Sequence, residues 1–71
     1  MKIIDLSNKS EYEKYHIRGS VNIPYEDLIS NYRSLLNKNE TYYLYCKNGK
    51  LSKRATVVLS SIGYKVFEYK N

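Results

Sequence analysis

Apolar residues along this chain follow two different spacings, which alternate from one segment to the next. Short runs rich in β-branched and aromatic residues at 2–6 and 41–46 predict buried strands, and 21–23 and 65–69 predict two more. The 41–46 run lacks polar alternation, so we expect a central strand that is covered on both faces. The 65–69 run alternates charged with apolar residues, as an edge strand does.

Helical spacing fills the segments between these strands. Asn8 and its serine neighbours are competent N-caps with an acid three residues later, which predicts a short helix over about 9–15. Apolar residues recur every three or four positions over 25–36 and again over 51–62, and Gly63 supplies a left-handed stop for the last helix. Strands and helices in strict alternation predict an open α/β sheet of about four mainly parallel strands with flanking helices, in one domain over 1–71.

Composition limits what such a domain does. Hydrophobic residues make up 42% and charged residues 27% of the chain, which is the composition of a folded protein. No apolar run approaches the roughly 18 residues of a membrane span, and no signal sequence opens the chain, so we expect a cytoplasmic protein. One cysteine and one histidine exclude an internal disulfide and a cysteine-rich zinc site, and no cofactor is expected.

The net charge of +5 invites a nucleic-acid hypothesis. The positive residues are nevertheless scattered over much of the chain, apart from a cluster at 47–54, and no RNA-binding signature accompanies the nine tyrosines. We therefore do not expect nucleic acid binding to be the main function.

The most informative stretch is YLYCKNGKLSKRA at 43–55. It places Cys46 at the carboxyl end of a predicted strand, where open α/β sheets bind ligands, one tight loop before a helix. The N–H groups and macrodipole at a helix N-terminus stabilise a thiolate over a thiol. Positive charge in and behind the loop acts in the same direction; its sources are Lys47, Lys50, Lys53 and Arg54.

The loop residues between cysteine and helix suit an anion-binding cup. Gly49 lets the backbone turn tightly and aim successive N–H groups inward, and Asn48 tolerates the same left-handed geometry. A lone cysteine is also commonly a buried small hydrophobe, and the spacing alone permits a cysteine phosphatase. Both alternatives stay open at this point.

Two strings together resemble the rhodanese-like domain: IIDL…EYEKYHIRGSVNIP and YLYCKNGKLSKRA…L…GYKV, from about Ile3 to Val66. The resemblance implies a sulfurtransferase in which Cys46 takes the outer sulfur of a donor as a persulfide and passes it to a thiol or other nucleophile. It also implies an anion-binding loop of six residues starting at the cysteine. The site residues predicted with Cys46 are Lys47, Asn48, Gly49, Lys50, Leu51 and Ser52, with Asp5 and Arg54 in support.

The chain departs from the family pattern in two ways. Ser7 and Leu51 stand where many active members have arginine, so binding of a dianion such as thiosulfate is expected to be weaker, with Lys47 and Lys50 as partial substitutes. Typical members have about 100 residues, so by this resemblance we expect the 71 residues to be without the family's opening strand and helix and its closing helix. An uncovered sheet edge predicts a homodimer, a partner chain or marginal stability.

Three further residues have structural alternatives. Asp5 either orients the loop or, as we favour, caps the following helix. Ser52 is expected to cap the third helix or to help close the loop, and the two roles are compatible. We expect His16 to be a hydrogen-bonded turn residue rather than a base for Cys46.

Three functions follow in order of preference. The first is a sulfur carrier that uses thiosulfate, a small persulfide or a protein as donor and a thiol as acceptor. The second is a catalytically silent rhodanese-like binding or regulatory module, and the third a small phosphatase or arsenate reductase, which the short loop without arginine disfavours.

Overall fold

The computed structural model describes residues 1–70 and contains seven elements in strict alternation. In chain order they are β1 (Lys2–Asp5), α1 (Lys9–Lys14), β2 (Val21–Asn22), α2 (Tyr25–Leu35), β3 (Thr41–Tyr45), α3 (Lys50–Ser61) and β4 (Lys65–Glu68). This is the predicted order, and each boundary lies within two residues of the prediction.

The four strands form one sheet in the order β2-β1-β3-β4, and all neighbouring pairs are parallel. β3 lies between β1 and β4, with Asp5 beside Tyr45 in one ladder and Leu44 beside Glu68 in the other. The prediction of an open parallel α/β sheet is confirmed, with β3 inside it and β4 at an edge. Parallel ladders bring the carboxyl ends of β1 and β3 side by side, and this shared edge positions the site.

The hydrophobic core lies between one face of the sheet and the helices α2 and α3. Ile4, Leu44 and Val66 point into it from three adjacent strands, and Leu28 and Leu59 meet them from the helices. Leu28, Leu44 and Leu59 are wholly inaccessible to solvent. At about 25 cal/mol per Å² of apolar surface buried, this layer is the main source of the domain's stability.

The opposite face of the sheet is less covered, and the prediction that β3 is covered on both faces is wrong. Along β3, buried Tyr42 and Leu44 alternate with half-buried Tyr43 and Tyr45. Phe67 on β4 stacks near Tyr43, with ring centroids 5.9 Å apart, yet is 54% exposed. The run of apolar residues arises because both faces of β3 are aromatic, not because both are buried.

Local signals set most helix ends. The Asn8 side chain accepts a hydrogen bond of 2.9 Å from Glu11 N and caps α1, so the predicted cap by Asp5 is wrong. Gly63, at φ 98°, ends α3 as predicted, with its N–H donating to Ser60 O. The cap of α3 is Gly49 rather than Ser52, because the helix already begins at Lys50 and Ser52 lies inside its first turn.

Within residues 1–70, no helix combines the length and apolar character that a membrane crossing requires.

Candidate active site at the cysteine loop

Cys46 follows β3 directly and lies at the edge where β1 and β3 both end. Only 7% of the residue is exposed, and it belongs to the hydrophobic core. Cys46 also lines a surface cavity of about 240 Å³. The residue is therefore largely shielded from bulk water and lies beside an open cavity.

One backbone N–H group contacts the sulfur directly, and others nearby are without an acceptor in the described part of the chain. Ser52 N donates to Cys46 Sγ at 3.2 Å from the first turn of α3. Within the described residues, the N–H groups of Lys47, Asn48 and Leu51 have no acceptor, and all three residues line the cavity. These are the donors that the site offers to negative sulfur.

Two other N–H groups of the loop are already used inside it. Gly49 N donates to Cys46 O at 3.3 Å, which closes the turn, and Lys50 N donates to Asn48 Oδ1 at 2.9 Å. The same Asn48 oxygen lies 3.6 Å from Cys46 Sγ and accepts from the thiol. Asn48 therefore contacts both the thiol and the first N–H group of α3, and it holds the loop in its turn.

Ser52 closes the loop from the helix side. Its hydroxyl donates to Gly49 O at 3.2 Å, and its oxygen lies 3.6 Å from Cys46 Sγ. The residue is 3% exposed, so this bond is shielded from water. Of the two roles predicted for Ser52, loop closure is the one that the geometry supports.

Lys47 has its side chain turned away from the thiol. Its Nζ donates to Tyr15 O at 2.9 Å and to Glu11 O at 3.1 Å, and it lies 5.3 Å above the Tyr15 ring. These carbonyls end α1, where a cation interacts well with the macrodipole. Lys47 thus ties the loop to α1, and two of its three donors are unavailable to an anion.

The other positive residues lie outside the cavity. Lys50, Lys53 and Arg54 are exposed on α3, and none of them lines the wall beside Cys46. Exposed charges are screened by solvent and salt, so their effect on the sulfur is weaker than that of the loop N–H groups.

The remaining wall of the cavity comes from the segment after β1, where Ser7, Asn8 and Glu11 line it opposite the cysteine loop. The family resemblance had marked Ser7 as the position of an arginine. Asn8 and Glu11 were not predicted as site residues, because they lie more than 30 residues from Cys46 in the chain and meet it through the β1–β3 pairing. Leu51 completes the wall where the family resemblance placed an arginine.

Asp5 supports this wall from behind. The residue is fully buried, and its Oδ1 accepts from Ser7 N at 2.8 Å. The Asn22 side chain donates to Asp5 O and Ser7 O at 3.0 and 2.8 Å, which clamps the same turn from β2. Asp5 therefore positions the segment opposite the thiol rather than the thiol itself.

Two nearby rings do not supply a base. His16 stacks on Tyr12 at 3.8 Å, its Nδ1 donates to Tyr12 O at 2.7 Å, and it does not line the cavity. Burial raises the pKa of the Tyr45 hydroxyl above its usual value, and the charges of Tyr15, Asp5 and Cys46 raise it further. Tyr45 therefore stays neutral beside the cysteine at physiological pH.

The loop geometry predicts a specific effect at Gly49. Its φ is 77°, and a Cβ there would meet no atom within 4 Å, so alanine would cost only backbone strain, about 1 kcal/mol. We expect Gly49→Ala to lower stability by that amount in urea unfolding and also to slow alkylation of Cys46 by iodoacetamide at neutral pH.

Gly19 provides the matched control. It has φ 87° and equally open surroundings, but it lies in the turn before β2. Gly19→Ala should cause the same loss of stability with an unchanged alkylation rate. Equal alkylation rates in the two variants would show that the loop conformation does not influence the thiol.

Comparisons with known proteins point to one protein family. A family model described as the rhodanese-like domain matches residues 1–71. Thiosulfate sulfurtransferase PspE of Escherichia coli is 32% identical over 62 residues, which cover 86% of this chain and 60% of PspE. The putative sulfur carrier protein YrkF of Bacillus subtilis is 34% identical over 65 residues, 92% of this chain and 35% of YrkF. The chain thus spans less than two thirds of either relative.

Solved structures agree on the fold. A rhodanese-like domain protein from Staphylococcus aureus superposes with a TM-score of 0.84 at 27% identity, over 99% of this chain and 68% of that one. A rhodanese-related protein from Thermoplasma volcanium gives 0.85 at 25% identity, over 94% and 66%. With this parallel sheet and its cysteine loop, the chain belongs to the rhodanese-like domain family.

Proposed function

We propose that this chain is a sulfur carrier that holds a persulfide on Cys46. The observation that carries the proposal is the contact of 3.2 Å between Ser52 N and Cys46 Sγ. It lies beside a cavity where the N–H groups of Lys47, Asn48 and Leu51 have no acceptor among the described residues. Such donors stabilise negative sulfur on the cysteine or on an added outer sulfur. The family membership and the names of the relatives support the same chemistry.

The proposed reaction has two balanced steps. The Cys46 thiolate attacks the outer sulfur of a donor, the bond from that sulfur to the donor breaks, and the donor leaves with the electron pair. With thiosulfate the leaving group is sulfite, and with a persulfide it is a thiolate. An acceptor thiolate then attacks the outer sulfur, and Cys46 leaves as a thiolate, so no net oxidation occurs.

The cavity favours a persulfide over thiosulfate as the donor. Its charged lining residues are Glu11 and Lys47, one of each sign, and the Lys47 ammonium is engaged by carbonyl oxygens. A dianion would meet no arginine fork there and would approach a negative thiolate. A donor of lower charge avoids that repulsion.

Intact-protein mass spectrometry tests the proposal directly. After exposure to thiosulfate, and separately to a small persulfide donor, the wild-type chain should gain the mass of one sulfur atom, which dithiothreitol then removes. We expect faster loading from the persulfide. Protein alkylated beforehand at Cys46 is the control, and failure of both donors to add sulfur would refute the proposal.

A silent binding module is the second candidate, favoured by Leu51 in the cavity and by the engaged Lys47. Its distinguishing result would be capture of a protein partner that persists in Cys46→Ala, together with a wild-type thiol that takes up no sulfur.

A further inference from the structure

The outer face of α3 is exposed and extends away from the cysteine loop. Helical spacing places five residues on it, three of them cationic and two apolar: Lys50, Lys53, Arg54, Val57 and Val58. Val57 is 62% exposed and Val58 40%. Lys50 adjoins the loop, and Val57 lies two turns further, about 10 Å along the helix axis. The outer face is therefore a compact surface beside the site.

The cations on the outer face oppose the stability of the helix. A helix N-terminus carries partial positive charge, so acids are favoured there and bases are not. α3 contains no Asp or Glu, and it begins with Lys50 and has Lys53 in its first turn. Within residues 1–70, the side chains of Lys50, Lys53 and Arg54 form no ion pair and donate no hydrogen bond. Within the described residues, no acidic side chain offsets the positive charge at this helix N-terminus.

The valines on the outer face also oppose local stability. β-branched residues lose side-chain freedom in a helix, and an exposed valine gains nothing from burial. Isolated exposed apolar residues are ordinary, but Val57 and Val58 adjoin each other and continue the row of cations. Two independent departures from helix preference on a single face, next to the reactive loop, indicate a binding surface.

We propose that the outer face of α3 docks an acidic protein that exchanges sulfur with Cys46. The partner would present carboxylates to Lys50, Lys53 and Arg54 and an apolar side chain to Val57, with its own cysteine at the cavity. Phosphates of an RNA would also match the cations but would gain nothing from the valines, so the apolar part selects a protein. The purpose of the docking rests on the proposed sulfur chemistry, whereas the docking itself does not.

The first test is sulfur transfer to designed thiol peptides. The wild-type chain, loaded with sulfur, is mixed with a short peptide that carries one cysteine, several glutamates and two leucines, and with a counterpart that has glutamine for every glutamate. We expect transfer to the acidic peptide to be about five times faster at low salt, with the preference lost at high salt. Equal rates for the two peptides would overturn the proposal.

Matched variants locate the effect. Lys53→Glu should remove the preference for the acidic peptide, whereas Arg33→Glu, the same charge change at an exposed position of α2, should retain it. Val57→Ser should slow transfer to both peptides, whereas Val21→Ser, at a valine that is 55% exposed on β2, should not.

Lys53→Glu also places an acid in the first turn of α3, so a purely structural role predicts gained stability with unchanged peptide preference. That result would overturn the proposal.

The second test works without sulfur. Cys46→Ser protein is titrated with the acidic peptide, its cysteine replaced by serine, while backbone amide NMR signals are followed. Shifts concentrated at residues 50–58, and absent in Lys53→Glu, support the docking surface even if Cys46 never takes up sulfur. Sulfur loading without such shifts would leave the proposed function standing and overturn the docking. Tighter binding of a single-stranded RNA oligonucleotide, unaffected by Val57→Ser, would overturn it in favour of nucleic acid.

Discussion

Replacement of Cys46 by serine is expected to abolish sulfur uptake from thiosulfate and from a persulfide donor. A serine hydroxyl keeps the volume and the hydrogen bonds to the loop, but it is not ionised at neutral pH and does not attack sulfur. Loss of a nucleophile lowers rates by at least about a thousandfold. Intact-protein mass spectrometry over time measures the loss, and circular dichroism checks that the variant is folded.

Moving the thiol to another position tests whether sulfur loading needs the cysteine loop or only a cysteine. The double variant Cys46→Ser with Ser61→Cys places a thiol at the exposed last residue of α3, where the macrodipole is negative. A thiolate is disfavoured there and no loop N–H groups surround it, so loading should stay at least about tenfold slower than in the wild type. Loading as fast as in the wild type would contradict a role for the loop at residues 46–51.

Truncation of Leu44 is expected to have the largest effect on folding. The side chain is fully buried in the middle of β3, with Ile4 beside it on β1 and Leu28 and Leu59 above it in the core. Leu→Ala at such a position costs about 3 kcal/mol, and a chain of this length has a total stability of only about 4–10 kcal/mol. Leu44→Ala should therefore unfold at a much lower urea concentration, followed by circular dichroism at helical wavelengths.

Val57→Ala is the matched control for that experiment. The same kind of truncation at a residue that is 62% exposed removes little buried surface, and alanine is the better helix former. Its unfolding midpoint should equal or slightly exceed that of the wild type. A loss of less than about 1 kcal/mol in Leu44→Ala would show that the core between the sheet and α3 is not closely packed.

Much of the fold could be predicted because its signals are local. A helix repeats every 3.6 residues and a strand every two, so the order of the seven elements follows from spacing alone. Asn8 and Gly63 set their helix ends through contacts within four residues. The wrong predictions for the fold, which are the caps by Asp5 and Ser52 and the double coverage of β3, concern where side chains point. Composition along a single strand does not contain that information.

For the candidate site, local sequence was enough to predict that Cys46 follows a strand, that Gly49 turns the chain and that a helix begins next, because neighbours in the chain produce each of these features. The residues across the cavity from the loop depend on long-range packing instead. The β1–β3 pairing brings Ser7 and Glu11 opposite the loop, and the end of α1 binds the Lys47 ammonium. These contacts join residues more than 30 positions apart, and their partners are chosen by strand order and packing, which no local spacing encodes.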